Sequence, residues 1–216
     1  MISRSHAAVI ALGLAMLTSV AAAQRPIVPF ATGAIVEQRV RLGGEVERVG
    51  GAVWGAGARA TINDWLSIRG RIASGTLSAR TTGAERRSLA EGELTVILVP
   101  DRWISLDAGT VVRTLRTSLA SQRWVELRTG AELGLDIIEG TLRGTVQLAI
   151  APSVSVSGHP SPDLALGGGT GLEYSSGRLL ASLGYAFDRY DFPAEGGSPR
   201  LEQRSVLTAR VGWRIH

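Results

Sequence analysis

The feature that most constrains this chain is strict alternation. From Trp124 to Ile137 one parity reads Val125, Leu127, Thr129, Ala131, Leu133, Leu135 and Ile137, and the other reads Trp124, Glu126, Arg128, Gly130, Glu132, Gly134 and Asp136. Successive side chains of a strand point to opposite faces. One face of this segment is therefore compatible with hydrocarbon, and the other is charged. On a helix the two sets would mix around the whole circumference. Leu142 to Val156 repeats the pattern: Leu142, Val146, Leu148, Ile150, Val154 and Val156 share one face, and Arg143, Gln147, Ser153 and Ser155 share the other. At the C-terminus Leu207, Ala209, Val211, Trp213 and Ile215 alternate with Arg210 and Arg214.

Ten such segments fall at about 33–42, 50–62, 65–76, 89–99, 103–114, 123–137, 141–156, 165–174, 178–190 and 203–215. In the first of them Gln38 lies on the apolar parity. Short turns at Asn63-Asp64, Pro100-Asp101-Arg102, Ile138-Glu139-Gly140 and Ser175-Ser176-Gly177 alternate with longer polar connections at 43–49, 77–88, 115–122, 157–164 and 191–202. This layout predicts an all-β, up-and-down antiparallel barrel of ten strands, with both chain ends on the short-turn side. Eight strands is the alternative if 33–42 and 50–62 do not both enter the wall.

Alternation alone also fits a soluble barrel, which would turn its apolar face inward. Three features favour lipid outside. Most segments reach the roughly 9–11 residues that cross a bilayer as a tilted strand. Aromatic residues fall where the segments meet an interface: Trp65, Trp103, Tyr174 and Trp213 at the turn end, Phe187 and Tyr190 at the other. Trp54 lies off both girdles. Finally, the inward parity carries near-equal numbers of opposite charges, as a narrow lumen requires if each ion is to find a partner. That inward set holds Arg69, Arg71, Arg113, Arg128, Arg143, Arg210 and Arg214 with Glu91, Glu93, Asp107, Glu126, Glu132, Asp136 and Glu173, which together form the expected lumen charge network. Glu37, Arg39, Arg41, Arg59 and Asp188 are assigned inward by the same reading.

The N-terminus reads as a targeting segment. Arg4 precedes an apolar run from Ala7 to about Val20, and Ala21-Ala22-Ala23 supplies small residues for cleavage. The run is shorter than the roughly 20 residues of a spanning helix. Residues 1–23 are thus expected as a cleaved signal peptide, 24–32 as a periplasmic lead and 33–216 as the barrel. All 23 basic side chains are Arg, the formal net charge is +4, and Cys is absent. Thiolate chemistry, disulfides and cysteine zinc sites are excluded, and no metal or cofactor is expected. The Arg residues are spread along strands among acids, without a basic stripe interleaved with aromatics, so no nucleic-acid partner is expected.

On these residues the chain resembles small bacterial outer-membrane β-barrel proteins of the eight- to twelve-strand class. The resemblance covers nearly the whole mature chain and lies in architecture. It implies a bacterial outer-membrane location, lipid as a partner, and contact with the barrel-assembly machinery through the C-terminal strand, whose alternation from Leu207 to Ile215 matches the class. His216 departs from the aromatic residue usual in last place.

Sites of chemistry are sparse. His159, Ser161 and Asp163 sit together, and lipid-modifying hydrolases of this class use a His-x-Ser pair, but here the trio lies in a Pro-rich turn. Proteases of ten-strand barrels use Asp and His at the loop rim, roles open to Asp188, Asp191 and His159 without a supporting motif. Gly167-Gly168-Gly169-Thr170-Gly171 lacks the Gly-Lys-Ser/Thr ending of a phosphate loop and reads as a Gly-rich strand. The expected function is non-enzymatic: a structural or surface-interaction barrel with a charge-paired, mostly closed lumen and an unknown surface ligand. A narrow pore for small solutes and a lipid-modifying hydrolase are the alternatives.

Overall fold

Ten strands close one sheet upon itself. The computed structural model describes residues 26–195 and 198–215. The segment read as a signal peptide, 1–23, and the terminal His216 lie outside the described residues. The strands are β1 (Ile27–Leu42), β2 (Glu45–Asn63), β3 (Leu66–Ala79), β4 (Arg87–Asp101), β5 (Ile104–Arg116), β6 (Ser121–Ile138), β7 (Leu142–Val156), β8 (Leu164–Ser176), β9 (Leu179–Glu195) and β10 (Ser198–Trp213). Each pairs antiparallel with its sequence neighbour, and β1 pairs with β10 from Phe30↔Gly212 to Leu42↔Arg200 to shut the wall. Closure satisfies every strand edge, which hydrocarbon demands because it offers backbone groups no hydrogen bonds.

β1 starts at Ile27, inside the segment read as a lead. Residues 27–32 pair with β2, and Ile27 bridges Ile215. Pairing to β10 is continuous only from Phe30, because Pro29 has no N–H to donate. The four turns at the end where β1 begins and β10 ends are tight, as the alternation implies. The far end differs from expectation. Strands continue through 45–49, 191–195 and 198–202, so the β1–β2 connection is a two-residue hairpin, β9 and β10 are two residues apart in sequence, and the longest connections are 80–86 and 157–163. Gly43, with φ +57°, supplies the left-handed residue that the β1–β2 hairpin needs. At 13 to 19 residues, the ten strands exceed what a bilayer requires.

The surplus stands above the membrane, and there the polarity of the wall inverts. In the turn-side part the exterior is apolar: Leu133, Leu135, Val146, Leu148, Leu183, Leu207 and Val211 are all exposed. In the far part the exterior is polar and the interior apolar. Val36, Val49, Leu77, Leu89, Leu115, Trp124, Tyr190 and Phe192 are buried inside the barrel, clustered as one core. The barrel is thus a membrane barrel below and a soluble barrel above.

This inversion corrects several expectations. Glu37, Arg39 and Arg41 face outward, and Gln38 faces in, 7% exposed. The odd parity of β1 is polar because it looks into water there. Val154 and Val156 are buried and Ser153 and Ser155 exposed, the reverse of the expected faces. The β6–β7 register shifts between Leu127↔Ser153 and Thr129↔Ile150. The extra residue, at Ala151-Pro152, forms a bulge that moves every later side chain of β7 to the other face. Tyr190 is no interface aromatic: it is 3% exposed and points into the lumen. It shares its parity with Asp188, already assigned inward, and that parity was the legible signal.

Candidate functional site

The lumen is organised in storeys, and the charged storey is built by parity. Arg69 and Arg71 on β3, Glu91 and Glu93 on β4, Arg113 on β5 and Glu126 on β6 all occupy inward positions. Glu93 accepts from Arg69 at 2.9 Å, from Arg71 at 3.2 Å and from the Thr95 hydroxyl at 3.0 Å. Arg71 also donates to Glu91. Glu91 accepts in addition from Arg113 at 3.0 Å and from Arg204 at 2.8 Å. Arg113 continues to Glu126 at 3.1 Å. Glu126, fully buried, accepts the Tyr190 hydroxyl at 3.0 Å. A branch runs from Arg204 toward Asp188 at 3.9 Å, and Asp188 accepts from Arg128 at 2.8 Å. Ion pairs thus cross the lumen from β3 to β9 and β10 as one chain.

The remaining expected members lie nearer the turn end. Asp107 accepts from Gln147 at 2.9 Å instead of from an Arg. Arg143 lies 3.7 Å from Asp136 and donates to the Arg102 carbonyl at 2.6 Å. A Cβ at Gly134 would overlap the Arg143 guanidinium, so glycine is what lets this side chain cross the wall face. Glu132, Glu173, Arg210 and Arg214 have no ion pair within 4.0 Å among the described residues; Arg210 sits over the Phe30 ring at 4.8 Å. These groups surround a charged cavity of about 250 Å³ that meets a wider one of about 560 Å³ at the turn end.

Above the ion chain the lumen is shut by side chains. Trp124, 1% exposed, packs edge-on against Tyr190 at 5.1 Å and Phe192 at 5.9 Å between ring centroids. Only about 10 Å³ remains between Val36, Leu77, Leu89, Trp124 and Tyr190, no more than one water needs. At the rim Gln38 donates to Glu202 at 3.0 Å, Arg200 donates to Glu202, and Arg200 Nη1 lies 2.9 Å from the ring nitrogens of His159. Loop 157–163 is thereby tied across the mouth to β10.

Arg204, Glu202, Gln38 and Tyr190 were missed as network members. Arg204 and Glu202 share the parity of Arg210, so their face was legible; their partners were not, because Glu91 and Arg204 meet across the lumen. The residues cast for hydrolysis do not converge. Asp188 points inward to Arg128, Asp191 points outward and is held by Arg189 at 3.0 Å, and His159 lies on Arg200. The glycine run on β8 is wall: a Cβ at Gly167 would come within 2.6 Å of both the Arg128 and Asp188 side chains, so glycine leaves room for that ion pair. On the exterior Trp65, Trp103, Tyr174 and Trp213 stand exposed at the turn end, and Phe187 is half-buried on the outer face of β9. Trp54 lies flat over Gly33 of the neighbouring strand.

No protein-family model matches the sequence, and no curated protein matches it. Among solved structures, outer membrane protease OmpT from Escherichia coli aligns at a TM-score of 0.61 and 10% identity, over 89% of this chain and 97% of that one. The fold is that of an outer-membrane β-barrel. The translocator domain of autotransporter NalP from Neisseria meningitidis covers 98% of both chains at 14% identity and a TM-score of 0.45. At these identities the likeness concerns fold. With its apolar exterior belt, the closed barrel belongs to the bacterial outer membrane, and lipid surrounds it.

Proposed function

We propose that this protein is a sealed, non-enzymatic outer-membrane barrel that serves a structural or surface-interaction role. The observation that carries the reading is the apolar plug around Trp124, which fills the upper lumen above a chain of ion pairs. Ten strands enclose a lumen just wider than the eight-strand case, in which side chains fill the interior. Here Trp124, Tyr190 and Phe192 do the filling. A solute entering from the turn end meets a blind cavity. The carboxylates nearest the seal, Glu91, Glu126 and Asp188, are each engaged by Arg or Tyr donors, which leaves them unsuited to act as general bases. The far part of the wall instead offers a broad polar exterior for contacts at the cell surface, and β10 is the element we assign to the assembly machinery.

Conductance of the purified chain in a planar bilayer tests the seal. The expected result is the absence of a steady open level. A steady level that changes on neutralising Arg128 or Glu132 would reject the sealed lumen in favour of a pore. The non-enzymatic reading predicts an unchanged lipid A acyl pattern, by mass spectrometry, in cells carrying the wild type, His159→Ala or no protein.

A further inference from the structure

The outer face above the lipid belt carries a row of arginines. The register sets Arg189 of β9 opposite Gln203 of β10, Gln203 opposite Arg39 of β1, and Arg39 opposite Arg48 of β2. Arg80 extends the row, its N–H donating to the Arg48 carbonyl at 2.9 Å. Each member points outward, because the adjacent residues Tyr190, Glu202, Gln38 and Val49 are buried inside. With neighbouring strands about 4.8 Å apart, the row spans about 19 Å. Arg41 lies two residues beyond Arg39 on the same face. Among the described side chains, the acids of this face are Asp191, held by Arg189, and Glu37. No carboxylate of the described residues pairs within 4.0 Å with Arg39, Arg48 or Arg80.

The row is oblique to the membrane. A register row runs at right angles to the strands, and the strands of such barrels tilt by about 35–45°. Its low end is legible from the exterior. Arg189 follows directly on Phe187 on the outward face of β9, whereas on β2 Ala52 and Gly50 intervene between Trp54 and Arg48. The arginines therefore begin at the top of the apolar belt and climb away from it. A phospholipid with one phosphate could engage only the low end. A lipid that bears several negative groups at increasing height above the leaflet could engage the whole row.

We propose that this face binds a polyanionic glycolipid of the outer leaflet. Its acyl chains lie against Phe187, Leu207 and Ile35, and its phosphates and acidic sugars take the guanidinium row, whose forked donors suit such oxyanions. The site depends on the membrane placement of the barrel and not on the sealed lumen, so conductance neither supports nor weakens it. The opposite sector supplies a control, since Arg116 is flanked there by Ser88 and Ser121, and Arg123 by Thr114.

The test uses the full mature chain in nanodiscs, titrated with rough-type lipopolysaccharide, with retained lipid counted by native mass spectrometry. Arg39→Gln/Arg48→Gln/Arg80→Gln should weaken binding by at least about tenfold, and Arg116→Gln/Arg123→Gln should leave it unchanged. Both variants alter exposed outer-face residues, and a heat-modifiable gel shift verifies that each is folded. The lysine triple variant should recover part of the loss, because charge returns without the fork. Dephosphorylated lipopolysaccharide should bind more weakly than the intact lipid. Equal binding by the glutamine triple variant and wild type overturns the proposal. So does equal occupancy by phosphatidylglycerol or by inorganic phosphate, which would mark a general anionic surface or an adventitious ion only.

Discussion

Glu91 shows what a single side chain does in this lumen. Arg71, Arg113 and Arg204 converge on it from three strands, and it is 6% exposed. Neutralising it leaves three guanidiniums facing one another where water is scarce. Breaking a buried pair from one side costs about 3–5 kcal/mol, because the remaining charge stays buried without compensation. Glu91→Gln should therefore lower stability by about that amount. Neutralising Glu85, on a loop at the rim, should cost about 0–1 kcal/mol. Urea unfolding in detergent micelles, followed by tryptophan fluorescence, checks both, and equal effects would deny the ion chain a structural role. The sequence marked Arg71, Glu91 and Arg113 as inward, since parity is local. It could not pair Glu91 with Arg204, since that contact depends on closing the sheet.

At the scale of the element, β7 shows both the reach and the limit of pattern. Its lower half follows the alternation, with Val146, Leu148 and Ile150 exposed to lipid. Its upper half does not, because the bulge at Ala151-Pro152 inserts a step that alternation cannot reveal. Proline fits there because a bulge leaves a backbone N–H without a ladder partner. Had the strand run straight, Ser153 and Ser155 would enter the core beside Trp124, and Val154 and Val156 would leave it. Deleting Pro152 removes the surplus residue, leaves Ser153 outward opposite Leu127 and Val154 inward opposite Glu126, and should retain the folded, heat-modifiable gel band. Pro152→Ala preserves the count and should retain the band with the bulge in place. Deleting Ala151 and Pro152 together should impose the exchange and abolish the band, since a one-residue slip moves the whole hydrophobic set; a double-deletion variant that still folds would show that β7 re-forms a bulge elsewhere. β1 adds a second lesson. Its charges at Glu37, Arg39 and Arg41 were legible as one face, but which face was inside depended on the height of the strand above the membrane.

The whole molecule answers the choice between a membrane barrel and a soluble one by being each at a different level. The same period-two pattern serves both, so alternation located the strands without fixing their polarity. What fixes it is the medium outside: hydrocarbon around Val146 and Leu133, water around Ser155, Arg189 and Gln203. One substitution placed at two heights on one strand separates these media. Arginine on the lipid face costs about 2–4 kcal/mol near the bilayer midplane and falls toward zero at the interface. Val146, 56% exposed in the apolar belt, should show that cost when changed to Arg. Ser155→Arg, on the exterior of β7 above the bulge, should stay within about 0.5 kcal/mol of wild type. Folding titrations into lipid vesicles measure the difference directly, and in detergent the gap should shrink as micelles deform around the new charge. Equal costs at the two positions would mean that the upper wall also faces lipid, and the outward arginines of β1, β2 and β9 would then need a different explanation.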